Sequence, residues 1–544
     1  MRPNRAGLAA TALLLAASLA GCGLIDASGA SPTTTPEPTT SAPSPAQPAT
    51  SESPTASPSP DAPSSAPEPR TPVAATRAPA TSLAVAPGTD TLTLALTSTR
   101  LFWSAAPVVV VGWAGDREAA QAAEDLAVPF LPTSLERAVT DDEGAPIAPA
   151  PLDEPAREAL EAELTRLGTI AVVSLDPGFE APTGVEVLSP GDALPEVRPA
   201  TPVDGAVLLV DGRWPSRAAA STARAAGAEV LAVRSGDPRA SDELVALHTG
   251  GRAPASVTAL GDVFGDAEQL SARMASVRTG VSLPGGGQLV FDGKRYVALY
   301  GSPLTPALGV LGEQSVTKSV TRARKLAKKY EKLVEEEVVP MFEIIVTVAS
   351  AGAGKDGNYS NELDPETIRP YVEAAREKGV YVLLDLQPGR TDFLTQAKLY
   401  EEFLLEPHVG LALDPEWRLK KNQVHLRQIG SVGIKEVNRV ADYLAELVRE
   451  HALPQKMFVL HQFTTSMIRN RDKLRTTHPE LATVVHVDGQ GALGSKYGTW
   501  ANIRKDAPDG LYWGWKNFYD EDIPMATPKQ TVAVDPTPDL VTYQ

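Results

Sequence analysis

The chain has 544 residues, of which 67 are acidic and 50 are Lys or Arg, so its formal net charge is −17 at pH 7. This excess of negative charge argues against nucleic acid or an anionic lipid surface as a partner. The length is sufficient for two packed cores, and the single cysteine excludes a disulfide within the chain.

The N-terminal segment begins with basic residues, continues with an apolar run and ends with small residues. Two arginines precede an apolar run over residues 8–20 that is too short and too rich in alanine to span a bilayer. The run ends in Leu-Ala-Gly-Cys at residues 19–22, which resembles the lipobox of bacterial lipoproteins. This resemblance implies that residues 1–21 are a cleaved signal peptide and that Cys22 carries a lipid anchor on the extracytoplasmic face of the cell membrane. The alternative is a secretory signal followed by an unrelated cysteine.

Residues 22–88 are predicted to be the lipidated cysteine and a disordered stalk. Residues 27–86 are almost entirely Ser, Thr, Pro and Ala. Such a segment has too little apolar surface to offset the entropy of ordering, and its prolines favour extended conformations. We expect the stalk to hold the folded part of the chain away from the membrane.

The first folded body is predicted over residues 89–282. Apolar strands alternate with alanine-rich helices, with strands at 107–113, 170–174, 206–210 and 230–233 and helices at 116–126 and 216–226. Continuous apolar strands separated by helices indicate a parallel sheet covered on both faces, as in a Rossmann-like α/β domain. The stretches after Val108 and Ala206 are similar enough to predict an internal repeat.

Part of this body resembles a known wall-binding family. Residues 207–216 read Val-Leu-Leu-Val-Asp-Gly-Arg-Trp-Pro-Ser and precede an alanine-rich helix and a second apolar strand, a pattern similar to cell-wall-binding repeat 2. Ser-Arg-Ala at 216–218 replaces the Asp-Ala-Leu of that family, and Glu229 stands at its proline. The resemblance implies attachment to secondary wall polymers. The alternative is a domain that serves only as a spacer or packing partner.

The second body, residues 287–544, is predicted to be a (β/α)8-type barrel. A glycine-rich boundary at 283–287 precedes an expected hairpin, in which Asp292-Gly293 joins strands at 288–291 and 294–300. Seven strands are expected at 296–300, 342–348, 380–385, 409–414, 457–462, 483–488 and 511–515. Helices are expected between them at 315–336, 365–378, 394–405 and 437–451. Either an eighth strand lies near 539–542 or the barrel is incomplete.

Polar side chains gather where these strands end, which is the face on which barrel active sites are built. Carboxyl groups lie at or just after the ends of three predicted strands: Asp385 at the third, Asp414 with Glu416 at the fourth, and Asp488 at the sixth. Glycoside hydrolysis requires one carboxyl group that donates a proton and a second that attacks or activates water. We therefore expect these four residues to be catalytic. Pro415 predicts a turn that leaves one of the pair Asp414 and Glu416 inward and the other toward the rim.

Within this set, Glu416 is the predicted proton donor, because an apolar contact from Trp417 would raise the pKa of its carboxyl group. Asp414 or Asp488 would be the ionised partner. The predicted substrate-binding residues are polar groups and aromatic rings at the strand ends, namely Tyr300, His461, Gln462, Trp417, Trp513, Trp515 and Lys516, with Trp500 as a further stacking surface.

This body also resembles uncharacterised actinobacterial secreted proteins with a glycoside-hydrolase-like barrel. The similarity lies in Tyr-Gly-Ser-Pro at 300–303, Leu-Gly-Val-Leu-Gly at 308–312, Asp-Leu-Gln-Pro-Gly-Arg at 385–390 and Ala-Leu-Asp-Pro-Glu-Trp at 412–417. It implies a fold and an extracytoplasmic location, without identifying a catalytic pair. The expected function is hydrolysis of a cell-envelope polysaccharide, with no cofactor and no metal.

Two alternatives to this function remain open. One is a lipoprotein that binds carbohydrate or cell wall without catalysis. The other is a metal-dependent hydrolase that uses His461, His486, Asp385 and Asp488. A Gly-Ala-Gly-Lys stretch at 352–355 resembles a phosphate loop, but Asp356 stands at its Ser or Thr and Ala349 at its first Gly, so we predict only a loop. The basic run over 318–332 predicts a solvated helix face.

Overall fold

The computed structural model describes residues 71–135, 139–140, 146–147, 152–212 and 216–544. The predicted signal peptide, Cys22 and the stalk up to residue 70 lie outside the described residues, as do residues 213–215 of the wall-binding-like motif. Among the described helices, none combines the length and the apolar character needed to cross a membrane.

The first body contains two four-stranded parallel sheets. In spatial order, one consists of Phe130–Ser134, Val108–Trp113, Ala171–Ser174 and Glu186–Leu188. The other consists of Glu229–Val233, Ala206–Asp211, Ser256–Leu260 and Leu83–Ala86. The strand that begins each predicted repeat is Val108–Trp113 in the first sheet and Ala206–Asp211 in the second. Each of these two lies between the next two strands of its sheet along the chain, as an internal repeat requires. The α/β class predicted for this body is confirmed.

Six α-helices pack around these sheets among the described residues of this body: Thr91–Phe102, Arg117–Leu126, Glu154–Leu167, Arg217–Ala225, Asp242–Thr249 and Ala267–Arg278. Short two- and three-residue strands add the pairs Ala75–Thr76 with Trp103–Ala105 and Val139–Thr140 with Pro146–Ile147. The side chains of Trp103 and Thr222 join the two halves of the body. The indole of Trp103 donates to the Thr222 carbonyl oxygen, and the hydroxyl of Thr222 bonds the backbone of Phe130.

The predicted end of the stalk at residue 88 is wrong. Leu83–Ala86 is an edge strand that pairs in parallel with Ser256–Leu260, so that Leu83 lies opposite Val257. Val73 also forms a bridge with Arg198. These partners lie more than 100 residues further along the chain. Four residues of weak apolar pattern in a segment rich in proline and serine do not indicate such a pairing locally.

The second body is a closed barrel of eight parallel strands. In chain order these are β1 (Lys294–Gly301), β2 (Glu337–Ala349), β3 (Tyr381–Leu386), β4 (Val409–Leu413), β5 (Lys456–His461), β6 (Leu481–Val487), β7 (Tyr512–Asn517) and β8 (Leu540–Tyr543). Each strand pairs with the next, and β8 pairs with β1. The (β/α)8 prediction is therefore confirmed, and β8 is the eighth strand expected near residues 539–542.

Helices cover the outside of the barrel. They are Val316–Ala327, Pro365–Lys378, Phe393–Leu399, Glu401–Leu404, Ile434–Glu450, Leu493–Arg504 and Pro528–Val532. The helix predicted over 315–336 ends at Ala327, and the basic residues that follow it form irregular turns. Between β5 and β6 the chain forms the 3₁₀ turns Thr465–Met467 and Arg471–Lys473 and the strand Ile468–Arg469 in place of an α-helix. Residues 350–359 form a loop after β2, as predicted for the glycine-rich stretch.

Successive side chains of each strand alternate between two apolar cores. Tyr296, Met341 and Val459 belong to a core inside the barrel. Their chain neighbours Val297, Phe342 and Leu460 belong to a larger core between the strands and the surrounding helices. This alternation decides which strand residues can take part in a site within the barrel.

The predicted hairpin before β1 is wrong. Residues 288–291 form bends, and β1 pairs only in parallel. Val290 is fully buried in the core inside the barrel, where Phe291 stacks on Tyr512 at 4.3 Å between ring centroids. Burying these two apolar side chains at the N-terminal end of the barrel outweighs the local hairpin preference of Asp-Gly, because a barrel of this size must be filled by side chains.

Candidate active site

The polar cluster at the C-terminal end of the barrel draws one side chain from every strand. It consists of Tyr300 on β1, Glu343 on β2, Asp385 on β3, Asp414 directly after β4, His461 on β5, His486 on β6, Lys516 on β7 and Thr542 on β8. All eight side chains are buried. They continue the inward-facing positions of their strands above the apolar core, so the period-two geometry of the strands brings them to one place.

His461 lies at the centre of this cluster. Its Nε2 is 2.8 Å from Oε1 of Glu343, and its Nδ1 is 3.1 Å from Oδ2 of Asp488. Nε2 also lies 4.0 Å from Oδ1 of Asp385. Burial opposes a charge on the imidazole, but the surrounding carboxylates outweigh burial and raise the pKa of His461 well above its usual range. His461 is thus a buried cation that donates from both nitrogens.

Tyr300 connects β1 to the same cluster. Its hydroxyl donates to Oδ2 of Asp385 at 2.8 Å, and the ammonium nitrogen of Lys516 lies 3.4 Å from the centre of its ring. Burial, opposed by His461, raises the pKa of Asp385 to about 6. Tyr300 and Lys516 were predicted to bind substrate. The structure places them in the cluster, in contact with each other.

His486 fits into the barrel beside a glycine. Its Nε2 lies 3.1 Å from the hydroxyl of Thr542, and its ring is 4.8 Å from that of His461. A β-carbon on Gly514 would approach Cδ2 of His486 to 2.4 Å, so only glycine at this position leaves room for the imidazole. Burial, together with the cations His461 and Lys516, lowers the pKa of His486 well below its usual range, and this ring is neutral.

Asp414 and Glu416 occupy the end of β4 as predicted. Asp414 is buried, and the turn Pro415–Trp417 carries the partly exposed Glu416 toward the rim. Burial, with repulsion from Glu416 and Asp385, raises the pKa of Asp414 well above its usual range. Burial, followed by repulsion from Asp488, raises the pKa of Glu416 to about 7. The site therefore holds carboxyl groups that keep a proton near neutral pH.

Five buried polar atoms of the cluster and of the adjoining Asp488 have no hydrogen-bond partner among the described residues. They are Oε2 of Glu343, Oδ1 of Asp385, Oδ1 of Asp414, Nδ1 of His486 and Oδ1 of Asp488. Leaving a buried polar atom unpaired costs about 1–3 kcal/mol, so such atoms are rare outside functional sites. Their concentration here marks the barrel mouth as a place where a polar ligand, water or an ion completes the structure.

The predicted role of Trp513 and Trp515 in sugar stacking is corrected by their position. On β7 the inward positions belong to Tyr512, Gly514 and Lys516, so the two tryptophans point outward. There both rings pack against Trp500, at 6.0 Å and 5.7 Å between ring centroids. The three tryptophans form part of the packing between β7 and the helix Leu493–Arg504, away from the polar cluster.

Gln462 is also displaced from the cluster, because it is the outward neighbour of His461. Its amide nitrogen donates to the Thr464 carbonyl oxygen at 3.0 Å, and its oxygen accepts from Arg471 at 2.7 Å. It therefore orders the loop after β5. Trp417 lies beside Glu416 in the chain, and its ring packs against that of His425, with 5.3 Å between ring centroids. The raised pKa of Glu416 has burial and Asp488 as its main causes.

Glu343 is a member of the cluster that sequence reasoning missed. It lies in the middle of the apolar stretch Met-Phe-Glu-Ile-Ile-Val at 341–346, and it is completely buried. An ionisable residue within a buried apolar strand is costly unless it is paired. That isolated charge within an apolar strand is the signal in the sequence that indicates a paired, buried side chain.

The barrel and its site define a class of protein. The chain is a (β/α)8 barrel preceded by an α/β domain, and the C-terminal mouth of the barrel carries a buried cluster of carboxyl and imidazole groups. No protein-family model matches the chain, and no curated protein matches it either. The cluster can donate and accept protons, and it can hold a ligand through its unpaired oxygens and nitrogen.

Proposed function

We propose that the barrel hydrolyses a polysaccharide of the cell envelope by acid/base chemistry between paired carboxyl groups. The observation that carries this proposal is the coexistence, at one barrel mouth, of a partly exposed carboxyl group with a raised pKa and a second carboxyl group held by a cation. Glu416 is the first and Asp488, bonded to His461, is the second. Glycoside hydrolysis requires one carboxyl group that donates a proton and a second that attacks the anomeric carbon or activates water.

In this mechanism, protonated Glu416 donates its proton to the glycosidic oxygen as the bond to the anomeric carbon breaks. Asp488 is the ionised partner that attacks the anomeric carbon or removes a proton from an attacking water. His461 stabilises the negative charge of Asp488 and fixes its orientation. Asp414 is less suited to the ionised role, because its raised pKa keeps it protonated. Tyr300 and Asp385 are held together within the cluster by their hydrogen bond.

The proposed location is the extracytoplasmic face of the cell membrane, with Cys22 as the lipidated residue. The lipobox-like sequence supports this location. Wall-polymer binding is the proposed role of the α/β domain, which follows the stalk and precedes the barrel in the chain. A polysaccharide substrate is consistent with a location at the cell envelope.

The test is to incubate the purified full-length chain with fragments of envelope polysaccharides and to measure new reducing ends. We expect turnover by the wild type and a loss of at least about 1,000-fold in Glu416→Gln, because glutamine keeps the shape but has no proton to transfer. Glu446→Gln, an exposed position on the helix Ile434–Glu450, is the matched control and should retain full activity. Binding of a fragment without any turnover by the wild type would favour a carbohydrate-binding protein instead.

A metal-assisted hydrolase is a second candidate, favoured by one observation. His461, His486 and Asp488 each offer a ligand atom, and these atoms lie within 4.8 Å of one another. Nδ1 of His486 and Oδ1 of Asp488 are also among the unpaired buried atoms. Imidazole and carboxylate ligands of this kind suit Zn²⁺. Elemental analysis after equilibration with Zn²⁺ tests this candidate: stoichiometric metal in the wild type and its loss in His486→Gln would support it.

A further inference from the structure

A cavity lies beside the mouth of the barrel, outside the cluster described above. Its volume is about 320 Å³, and it is formed by the loops that follow β3, β4 and β5. Five of its lining residues are cationic and one is acidic: Arg390, Arg418, Lys420, Lys421 and Arg469, with Glu436. We call this cavity the basic pocket. A formal charge of +4 at one cavity stands out in a chain whose net charge is −17.

Among the residues that the structure describes, one of the five cations is paired with a carboxylate. Arg418 forms two bonds to the carboxylate of Glu436, at 2.9 and 3.3 Å, and its remaining nitrogen donates to three carbonyl oxygens. Among the described residues, the other four form no ion pair with a carboxylate. Arg418 and Glu436 therefore build the wall of the pocket, and the positive charge available to a ligand comes from the other four side chains.

The pocket is held in shape by contacts that do not consume this charge. Arg390 lies over the ring of Tyr359, with its guanidinium carbon 4.4 Å from the ring centre, and donates to the carbonyl oxygen of Gln423 at 2.9 Å. Arg469 donates to the hydroxyl of Ser431. Lys420 and Lys421 line the pocket and are exposed. Gly433, which also lines the pocket, begins the helix Ile434–Glu450 without a side-chain cap, so this end of the helix adds to the positive potential.

The same loop carries Glu416 and part of the wall of the basic pocket. The Glu416 carbonyl oxygen accepts from the backbone nitrogen of Gly430 at 2.7 Å, and a β-carbon on Gly430 would approach that oxygen to 2.4 Å. The Arg418 carbonyl oxygen accepts from the backbone nitrogen of Ser431 at 3.1 Å. The proposed proton donor and the part of the pocket wall formed by residues 418–421 and 431–433 therefore belong to one tightly closed loop.

We infer that the basic pocket is a subsite for an anionic substituent of the substrate polymer, a phosphate or carboxylate group. This inference rests on the proposed function for the identity of the polymer, but not for the binding of the anion. Guanidinium and ammonium groups that have no carboxylate partner in the protein bind phosphate and carboxylate oxygens strongly, because both members of each hydrogen bond are charged. A neutral glycan would leave that positive charge uncompensated.

Calorimetric titration of the full-length chain tests anion binding without any catalysis. Inorganic phosphate and glucuronate are the two probes, and glucose is the neutral control. We expect at least one anion to bind and glucose not to bind. The triple variant Lys420→Gln/Lys421→Gln/Arg469→Gln should raise the Kd of that anion at least tenfold. The probe that binds more tightly identifies the substituent as phosphate or carboxylate.

A matched variant separates the pocket from a general effect of charge. Lys325→Gln/Lys328→Gln/Lys329→Gln removes the same three charges from exposed positions on and directly after the helix Val316–Ala327, and it should bind like the wild type. Absence of anion binding by the wild type, or equal weakening in the two triple variants, overturns the inference.

Turnover then links the pocket to the proposed function. With an anionic envelope glycan, the pocket variant should show a KM raised at least tenfold with little change in kcat. An unchanged KM overturns the subsite. If no glycan is cleaved but the pocket variant loses anion binding, the proposed hydrolysis fails while the anion site stands.

Discussion

Glu343 Oε1 lies 2.8 Å from His461 Nε2, although the two residues belong to β2 and β5, which are not neighbours in the barrel. The contact therefore crosses the barrel interior. On its other side His461 bonds to Asp488, which follows β6. Three distant segments of the chain thus meet at one buried imidazolium, and the barrel mouth depends on that ring for charge balance.

Replacing His461 by leucine should destabilise the protein by about 3–5 kcal/mol, because Glu343 and Asp488 would lose the charge that compensates their burial. Chemical denaturation followed by circular dichroism measures this loss. The same substitution in a Glu343→Gln background should cost markedly less, since one carboxylate is already neutral. Equal costs in both backgrounds would show that the two side chains are not energetically coupled.

The activity of the wild type should fall as pH rises through about 7, because the raised pKa of Glu416 sets the pH at which the proton donor is lost. The measurement is kcat/KM on an envelope glycan between pH 5 and 9. Glu446→Gln should follow the same profile as the wild type. A rate that stays constant across this range would remove Glu416 from the role of general acid.

Asp385 should make the fold less stable as pH rises from about 4 to about 7. Its pKa is about 6 in the folded protein, and the ordinary value is 3.8, so the folded state retains the proton more strongly in this window. The stability that this proton contributes is fully present below pH 3.8 and is lost as pH rises through about 6. The free energy of unfolding of Asp385→Asn, relative to that of the wild type, should therefore rise by on the order of 1–3 kcal/mol between pH 4 and pH 7.

Thermal denaturation of wild type and Asp385→Asn at several pH values measures this difference. Asp509→Asn, at an exposed position, is the control and should keep a constant offset from the wild type. A constant offset for Asp385→Asn as well would contradict the raised pKa.

Gly514→Ala should destabilise the barrel by about 1–3 kcal/mol, because the added methyl group would overlap the imidazole of His486 in a closely packed interior. Gly498→Ala is the matched control. It lies on the exposed face of the helix Leu493–Arg504, where a β-carbon meets nothing within 4 Å, and it should stabilise the protein by about 0.5–1 kcal/mol. Chemical denaturation of both variants measures these changes in the free energy of unfolding. An unchanged stability of Gly514→Ala would mean that His486 moves aside without cost.

Cys22→Ser should release the protein from the membrane fraction, because the thiol is the proposed site of the lipid anchor. Cell fractionation and labelling with radioactive palmitate measure this change. Ser18→Ala, within the apolar run and outside the lipobox-like residues, is the control and should remain in the membrane fraction. Retention of Cys22→Ser in that fraction, with unchanged labelling, would refute lipidation at this residue.

Much of the architecture was contained in local sequence patterns. Seven apolar strands separated by helical stretches predicted the barrel, because strand and helix periodicities are set by the backbone and recur along the chain. Asp385, Asp414, Glu416 and Asp488 were recognisable because each of them lies at or just after a strand end, where parallel strands bring their polar residues together. The turn at Pro415, which separates Asp414 from Glu416, followed from the geometry of proline.

What only the tertiary structure decided was the direction and partnership of individual side chains. Trp515 and Lys516 are adjacent in the chain, yet one packs outside the barrel and the other lies over Tyr300 inside it. A shift of one residue reverses the face of a strand, and no local signal fixes that register to better than one residue. Glu343 joined the site because β2 faces β5 across a closed barrel, and Leu83–Ala86 became a strand because a partner far along the chain offered an open edge. These contacts depend on closure of the whole fold, which local patterns do not encode.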